Sequence, residues 1–526
     1  MKKLFFMICT FLLTYQNAYA FNVDETMDKY LAPISDAISG VIFYPVTICG
    51  TKVPIIIFWI LIAGIFFSLY LRGIAIWGFK HALNILCKPK NKDEDHGEGE
   101  VSAAQALATA LSGTIGLGSI AGVAIAISIG GPGAALWILI GAIFGMSLKF
   151  VEAGLAVKYR RFNLDGTISG GPMHYIAHGL TRKKMRWLGQ PLSVLFAILC
   201  IGGGITGGNM IQINQTAQQF VNITGGENSI LYGYNWVIGL VVAIVVGLIV
   251  VGGIKSIANV TSKIVPFMCF LYIFAGFVVI IANFTQIPTA LAIIVKEAFF
   301  PQAVAGGIFG TIIIGLRRSV QSNEAGTGSA PIAYATVKTK EHISQGFVSL
   351  LEPLLTGMLC TLSAVVIVIP GSYKNYTDGI NGIELSSSAF SSVIPFFPYV
   401  LAVVVILFAL STLISWAYYG QKAWNFLVGE GYKRSMIFQI IYCSFVVIGS
   451  VLNLKSVIDV TDAMMLAMSI PNIITMYILA PEIKEDLKEY CRKHNLGNIL
   501  NRKWNNSKIA PVPVTENVEI EEPVLK

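Results

Sequence analysis

Long apolar stretches separated by short polar loops make up most of this chain. A helix needs about 20 predominantly apolar residues to cross a bilayer, and helices can satisfy all their backbone polar groups inside one. The pattern therefore predicts an all-α polytopic membrane protein with about eleven transmembrane helices. The apolar windows fall near 53–71, 103–128, 133–157, 191–219, 235–252, 262–282, 302–316, 347–369, 394–418, 435–452 and 459–480.

The composition agrees with this prediction and narrows it. Only 13% of the 526 residues are charged, whereas a soluble domain has about 25%, and the mean hydropathy is +0.69. The net charge of +8 does not require a nucleic-acid partner, because membrane proteins concentrate Lys and Arg in cytoplasmic loops. The eight cysteines are scattered without metal-ligand spacing, so neither a disulfide framework nor a zinc site is indicated.

The N-terminus has the pattern of a cleavable signal peptide. A basic start at Lys2 and Lys3 precedes a short apolar core, and Ala18-Tyr19-Ala20 follows as a cleavage site. An uncleaved first membrane helix is the alternative, but the core is too short to span. Lys and Arg then concentrate on alternate loops, Arg317 and Arg318 among them, which predicts an exported N-terminus and a cytoplasmic C-terminus.

Glycines interrupt two of the apolar windows. The stretch Gly113–Gly118, GTIGLG, places three glycines within six residues, and Ala305–Gly310 is a second interruption roughly 190 residues later. Unwound backbone at membrane depth is tolerated where it lines a protein-enclosed cavity, although glycines also serve simply for close helix packing. Two broken helices in matching positions indicate an inverted-repeat transporter, with one extra helix before two sets of five.

This count predicts the following organisation. A stretch at Gly73–Leu86 has helical apolar spacing and is expected to lie along the inner membrane surface. The expected segments are a signal peptide at 1–20, an extracytoplasmic segment at 21–52, the first membrane helix with a cytoplasmic amphipathic linker at 53–100, the first five-helix repeat at 101–282, the second at 283–480 and a partly disordered cytoplasmic tail at 481–526.

Six sequence blocks in order carry a family resemblance. Besides the glycine-rich block at 113–137, they are SGGPMHYI at 169–176, GNMIQINQTAQ at 208–218, GGIKSIANVTSKIVPFM at 252–268, SNEAGTGSAPIAYA at 322–335 and STLISWAYYGQ at 411–421. From about residue 53 to 482, the chain resembles the alanine/glycine:cation symporter family of bacterial and archaeal inner membranes. The resemblance implies a LeuT-type five-plus-five fold in a bacterial plasma membrane. It also implies sodium-coupled uptake of alanine or glycine by alternating access, with no cofactor and no obligate protein partner.

The substrate site follows from this resemblance together with backbone polarity. Amides near Leu117 and Gly118 suit a carboxylate because a helix N-terminus carries positive partial charge. Asn209 and Gln212 share a helix face, although such side chains often only bond between helices. Trp416 would wall the pocket, with Gly307, Ile308 and Phe309 limiting its size; core packing is the alternative for each. The full substrate set is Thr114, Gly116, Leu117, Gly118, Asn209, Gln212, Gly307, Ile308, Phe309 and Trp416.

The coupling-ion site is carried over from the LeuT-type arrangement of carbonyls and hydroxyls. Phe408, Ser411 and Thr412 would meet the carbonyls of Ser112 and Ile115 around sodium. Ser and Thr in helices often only bond back to their own carbonyls, which is the alternative. No acidic residue occurs at the first break, so proton coupling would need another site, such as Asp459 or Asp462.

Other charged residues are given structural interpretations. Asn323 and Glu324 are expected near the cytoplasmic end, in an inner gate or a loop-ordering network, and Glu152 in an ion pair with a nearby lysine. The chain departs from the family at Leu117 and Ser119, at Met464-Met465 and at Arg317-Arg318, which leaves the substrate open to a larger or less polar amino acid.

An enzyme is disfavoured because no nucleophile elbow, zinc-protease or P-loop motif occurs and the six histidines do not cluster. A channel-like pore remains the rival from another class. A channel would equilibrate its solute, whereas a symporter accumulates it against a gradient.

Overall fold

The computed structural model describes residues 39–48, 51–87, 98–163, 166–301, 307–375, 382–393, 395–452 and 454–496. The predicted signal peptide and most of the predicted extracytoplasmic segment lie outside these ranges. The helices are α1 (Ile55–Tyr70), α2 (Ile74–Cys87), α3 (Ala103–Thr114), α4 (Ala121–Gly130), α5 (Ala134–Lys158), α6 (Pro172–Arg182), α7 (Arg186–Ile205), α8 (Ile211–Ile223), α9 (Asn235–Val250), α10 (Gly253–Ala282), α11 (Ile287–Phe299), α12 (Gly307–Asn323), α13 (Pro331–Tyr334), α14 (His342–Ser349), α15 (Leu351–Val368), α16 (Ile383–Ser391), α17 (Phe397–Val428), α18 (Tyr432–Gly449) and α19 (Leu454–Lys493).

Within the described residues, strands are confined to two short antiparallel pairs. In the first pair, β1 (Pro45–Ile48) and β2 (Thr51–Pro54) precede α1 directly. In the second, β3 (Arg161–Phe162) and β4 (Ile168–Ser169) lie between α5 and α6. The all-α membrane class predicted from the sequence is therefore confirmed for the described part of the chain.

Each of the eleven predicted windows contains a helix, but fewer helices meet a strict test for spanning. Six helices in the described ranges are long and apolar enough to cross a membrane, or up to eight if each bent pair is one span. α9 is apolar but shorter, at 16 residues. The outer face of α10 exposes Phe267, Phe270, Phe274 and Phe277, as expected of a helix that faces lipid.

Two helix pairs are sharply bent. α1 and α2 meet at 73°, so the predicted surface segment after the first membrane helix is a separate helix turned away from it. α3 and the following helical segment Leu117–Gly130 meet at 62°. The break predicted at Gly113–Gly118 is confirmed, because α3 ends at Thr114, Ile115 leaves helical dihedrals (φ −82°, ψ 69°) and a 3₁₀ turn covers Leu117–Ser119.

Only part of the second predicted interruption lies within the described residues. Gly307–Asn323 is one continuous helix that begins at Gly307 with a φ of 56°, while Ala305 and Gly306 lie outside the described residues. Further non-helical backbone, buried in the protein, follows at 324–330, between α12 and α13. Glu324, Gly326 and Gly328 adopt left-handed φ values of 52°, 85° and 85°. We call 115–120 the first break and 324–330 the second break.

α7 and α8 form one long helix, Arg186–Ile223, joined by a five-residue π-helical segment at Thr206–Met210. Such segments widen the helix by one residue and shift the hydrogen-bond register. Here the π segment packs against α17, α18 and α19. Its position next to Trp416 and Gln212 places it at the centre of the bundle.

The first part of the predicted cytoplasmic tail is helical, and residues 497–526 lie outside the described ranges. α19 continues through Pro481 to Lys493, and its last turns are fixed to other helices by charged contacts. Lys158 lies 2.7 Å from Glu482, and His342 lies 2.9 Å from Asp486. These long-range contacts explain why residues that look like a solvated tail are helical.

Candidate functional site

A central cavity lies where both breaks, the π segment, α17 and α19 meet. Four residues of the first broken helix that the sequence singled out line it, namely Thr114, Gly116, Leu117 and Gly118. Gln212 and Trp416 line it as well, so six of the ten predicted substrate residues converge. The remaining lining residues are Gly113, Ala121, Gly122, Ile125, Gly207, Ile211, Gln215, Arg318, Gln321, Glu324, Thr412, Ile458 and Met465.

The Gln212 side chain connects the first break to the π segment. Its Oε1 accepts a hydrogen bond from the Leu117 amide at 3.2 Å, and its Nε2 donates to the Gly207 carbonyl at 3.1 Å in the π segment. One side chain thus connects two stretches of backbone that have both left regular α-helical bonding. A helix end leaves such groups without intrahelical partners, which makes them available to a side chain or a ligand.

A cluster of oxygens lies beside the first break. The Thr412 hydroxyl donates to the Ser112 carbonyl at 3.0 Å, and the Ser411 hydroxyl donates to the Phe408 carbonyl at 2.9 Å. Ile115, the fifth predicted ion-site residue, follows the last residue of α3 as its C-cap. Four of the five residues predicted to surround a cation, namely Ser112, Phe408, Ser411 and Thr412, are therefore connected by hydrogen bonds, with their hydroxyls donating to neighbouring carbonyls.

Gly116 is essential to this close approach. A Cβ added to it would lie 2.6 Å from Thr412 Oγ1 and 3.1 Å from Gln212 Oε1. By contrast, a Cβ on Gly118 would meet only the backbone of Gln321 and Ser322, at 3.7 Å or more. The first break and α17 touch at Gly116, and only glycine fits there without displacing a polar group.

Glu324 is a site residue that the sequence interpretation placed too far from the centre. It lines the cavity, its Oε1 accepts a hydrogen bond from Trp416 Nε1 at 3.1 Å, and its Oε2 accepts one from Ser329. Asn323 does order the loop, as predicted, because its Oδ1 accepts from the Ala325 amide at 2.9 Å. A buried aromatic N–H paired with a carboxylate thus forms one wall of the cavity.

Arg317 and Arg318 also lie elsewhere than the loop-charge argument placed them. Both are in α12, and Arg317 stacks over the ring of Phe43 from the N-terminal segment. Asp462 Oδ2 lies 2.6 Å from Arg317 Nε and 3.2 Å from Arg318 Nη2. They therefore belong to a helix and not to a loop, and their contact with Asp462 lies on the part of α12 nearest the Phe43 ring.

Four predicted substrate residues do not reach the cavity. Asn209 donates to the Tyr442 carbonyl at 2.8 Å, because the π segment turns it toward α18. Gly307, Ile308 and Phe309 form the first turn of α12, about four turns before the end of the helix that meets the second break. These three residues miss the cavity because α12 reaches it with its C-terminal turns, at Arg318 and Gln321, and not with its first turn.

Several residues that line the cavity were not predicted from local sequence patterns. Gln215 and Gln321 are polar residues at membrane depth, and such residues usually face a bundle interior, which was the available signal. Arg318 and Ile458 reach the cavity through contacts that only the tertiary fold creates. Of the two methionines noted as departures, Met465 lines the cavity.

Comparison with known proteins agrees with these observations. The sequence model of the sodium:alanine symporter family matches residues 39–503. The sodium/alanine symporter AgcS of Methanococcus maripaludis is 37% identical over 451 residues, covering 85% of this chain and 96% of the relative. The probable sodium/glutamine symporter GlnT of Bacillus subtilis is 36% identical over 392 residues, covering 74% of this chain and 78% of the relative.

A solved structure of a Na⁺-coupled sialic acid symporter is a more distant match. The two chains are 11% identical with a TM-score of 0.48, and the matched region covers 75% of this chain and 82% of the sialic acid symporter chain. This level of similarity does not by itself establish a common fold. The family match spans nearly all of the described helices and both breaks, and the chain therefore belongs to the sodium:alanine symporter family, whose members are membrane transporters and not enzymes.

Proposed function

We propose that this protein is a sodium-coupled symporter that takes up a small neutral amino acid, alanine or glycine, by alternating access. One observation carries the proposal. A broken helix exposes backbone groups to an enclosed cavity, and a cluster of hydroxyls and carbonyls lies directly behind the same break. Helix breaks of this kind serve both zwitterionic substrates and coupling ions in secondary transporters.

The substrate would bind at the first break. Its carboxylate would approach the backbone near Leu117 and Gly118, with the Thr114 hydroxyl beside it. The Leu117 amide donates a hydrogen bond to Gln212 Oε1 in this structure. The substrate carboxylate would take the place of Gln212 Oε1 as the acceptor, or share this hydrogen bond with it. Gly116 would allow the approach, and Trp416 would cover the bound side chain.

Sodium would bind behind the break as the second transported species. Its ligands would be the carbonyls of Ser112, Ile115 and Phe408 and the hydroxyls of Ser411 and Thr412. Neutral oxygens are suitable ligands for a hard cation. Filling this site would release two hydroxyls from their carbonyls and stiffen the first break against α17, and this would couple ion binding to substrate binding.

Alternating access requires closure at both ends of the cavity. We assign one closure to the contact of Arg318 with Asp462 and the other to the Trp416–Glu324 hydrogen bond. We further propose eleven membrane helices, one preceding two five-helix repeats at 101–282 and 283–480. The end that carries Phe43 would face outward and the C-terminus would face the cytoplasm of a bacterial inner membrane.

A larger polar amino acid is the second candidate substrate. Gln212, Gln215 and Gln321 all line the cavity, and amide side chains are suitable partners for a substrate amide. The relative from Bacillus subtilis is named a probable sodium/glutamine symporter, which supports testing glutamine.

The experiment is uptake of radiolabelled alanine into proteoliposomes under an inward sodium gradient, a proton gradient alone, or neither. Unlabelled glycine, serine and glutamine are added as competitors. We expect accumulation only with sodium, and displacement by glycine and serine. Equilibration of alanine without accumulation would favour a channel. Accumulation driven by a proton gradient alone would overturn sodium coupling. If glutamine were the only competitor to displace alanine, glutamine would become the proposed substrate.

A further inference from the structure

A buried cluster of charged and polar residues lies beside the second break. It consists of Lys149 and Glu152 on α5, Glu352 on α15, and Asn472 on α19. All four side chains are buried, with a relative exposure of 0%. Burial of an ionised carboxylate is costly unless the group is both paired and hydrogen-bonded, so the partners of each oxygen matter.

Glu352 is fully partnered. Lys149 Nζ lies 2.9 Å from its Oε1, and the Tyr334 hydroxyl donates to its Oε2 at 2.7 Å. One ammonium and one phenol thus satisfy both oxygens of this carboxylate. The sequence interpretation gave the lysine to Glu152, whereas the structure gives it to Glu352.

Glu152 is left with half of its hydrogen bonds. Asn472 Nδ2 donates to its Oε1 at 2.7 Å, while Oε2 has no hydrogen-bond partner among the described residues. No ion pair within the described ranges includes Glu152. A carboxylate so placed carries an uncompensated buried charge, and a proton on Oε2 removes that charge.

The surroundings favour a proton over a metal ion. The titratable groups that face Glu152 are Lys149 on its own helix, Glu352 on α15, Tyr334 on α13 and Tyr175 on α6, and Glu324 in the second break faces the same lysine. Among these, the only fixed cation is the Lys149 ammonium, which would repel a second cation. A sodium ion also needs several oxygen ligands, and Glu152 Oε2 is the single carboxylate oxygen left over in this cluster.

Asn472 joins Glu152 to the moving parts of the proposed transporter. Its Nδ2 donates to the Gly326 carbonyl in the second break at 2.8 Å as well as to Glu152, and its Oδ1 accepts from the Tyr175 hydroxyl. Glu324, two residues before Gly326, lines the central cavity. A shift of the second break would therefore change the hydrogen bond that Asn472 donates to Glu152.

We propose that Glu152 is a proton-binding site, occupied when the second break is docked on Asn472, and that its proton is released and rebound as the break moves. The binding part rests on the geometry alone; the exchange part also rests on the proposed transport function. The proton is additional to the sodium at the first break and does not take its place.

The proton can be detected without transport. The infrared spectrum of the purified protein in lipid should contain the C=O stretching band of a protonated, buried carboxyl group at neutral pH. Glu152→Gln should remove this band and leave the melting temperature unchanged, because Gln is the neutral isostere of a protonated Glu. Glu489→Gln, at an exposed position of α19, is the control and should leave the band in place.

The exchange is measured with a pH indicator in weakly buffered solution. Adding sodium together with alanine should change the number of bound protons in the wild type and not in Glu152→Gln. A band that survives in Glu152→Gln would overturn the assignment of the proton. A band that disappears in Glu152→Gln, combined with no proton movement in a wild type that does accumulate alanine, would overturn the exchange. A wild type that fails to accumulate any amino acid would instead count against the proposed function, and the band would still test the site.

Discussion

The two breaks differ in how their polar groups are satisfied. At the first break, the partners come from other helices: Gln212 from α8 and Thr412 from α17. At the second break, several partners lie within the segment itself, since the Thr327 and Ser329 hydroxyls both bond to Glu324. Partners from elsewhere can be exchanged for a ligand, whereas internal partners preserve a shape. The first break is therefore suited to binding and release, and the second to placing a charge.

The strongest test of this difference is at Gly116. We expect Gly116→Leu to abolish sodium-driven uptake while the protein still inserts in the membrane, because the new side chain would displace Thr412 Oγ1 and Gln212. Uptake by proteoliposomes and the amount of folded protein are the two measurements.

Gly247→Ala in α9 is the matched control, since its Cβ would meet only Cys443 Sγ at 3.6 Å. It should retain normal uptake. Normal uptake by Gly116→Leu would show that the first break is only a packing device.

The second break should respond through stability. Gly328 has φ +85°, and its Cβ would lie 2.6 Å from Pro172 and 3.1 Å from Phe196. We expect Gly328→Ala to destabilise the protein by about 1–3 kcal/mol, from left-handed strain together with the clash. The melting temperature in detergent measures this effect.

Gly253→Ala separates the two causes, because Gly253 also has a left-handed φ of +65° but nothing within 4 Å of its Cβ. Its melting temperature should fall by less. Equal losses in the two variants would mean that strain alone matters and that the packing of the second break does not.

A smaller effect is expected at the oxygen cluster. Thr412→Ala removes one proposed sodium ligand, and we expect a loss of about tenfold in apparent sodium affinity, or about 1.4 kcal/mol. Thr412→Ser should restore most of the affinity. The sodium dependence of the initial uptake rate measures this, with Thr475→Ala as control because its hydroxyl bonds only to the Pro471 carbonyl four residues earlier.

An unchanged sodium affinity in Thr412→Ala would move the coupling ion away from the first break. A matching loss in Thr475→Ala would point to a general effect of removing buried hydroxyls.

The smallest expected effect is on the pH dependence of the melting temperature, and it involves His174, which belongs to neither break. Burial, followed by the charges of His178, Lys422 and Arg161, holds the pKa of His174 on α6 well below its usual 6.5. Because the unfolded chain binds a proton at His174 more readily than the folded protein does, acid favours unfolding. The contribution of His174 to stability is therefore fully present above about pH 6.5 and is lost as the pH falls toward the folded-state pKa.

We therefore expect the wild-type melting temperature to fall between pH 7 and pH 5, and His174→Gln to reduce that fall by about 2 °C or less. Melting curves across this range measure it. An identical fall in the variant would assign the acid sensitivity to another group, and the infrared band of Glu152 should be unaffected by His174→Gln in either case.

The sequence predicted the first break well for a local reason. Three glycines in six residues of an apolar window weaken a helix wherever they occur, so the signal did not depend on tertiary contacts. The same reasoning did not find the second break at 324–330, because that segment combines polar residues with glycines and has the pattern of a loop outside the membrane. Hydropathy cannot distinguish a polar segment in water from one buried among charged helices.

Long-range pairs explain the remaining differences. Arg317 and Arg318 were assigned to a loop by counting charges, but Asp462, more than 140 residues later, holds them at the mouth of the cavity. Lys149 has Glu152 one turn away on its own helix, yet it pairs with Glu352. The oxygens of Ser112, Phe408, Ser411 and Thr412 were found only through the family resemblance, since hydroxyls within a helix carry no local signal of a ligand.

The π segment at Thr206–Met210 has a consequence for how this site tolerates change. One residue more in a turn rotates everything after it by about 100°. Gly203 and Gly204 before the segment can thus face Trp416 while Gln212 after it faces the first break, all from one continuous helix. Deleting one residue there would restore an ordinary helix and turn Gln212 away from Leu117. The site thus depends on the phase of a helix as well as on the side chains that the helix carries.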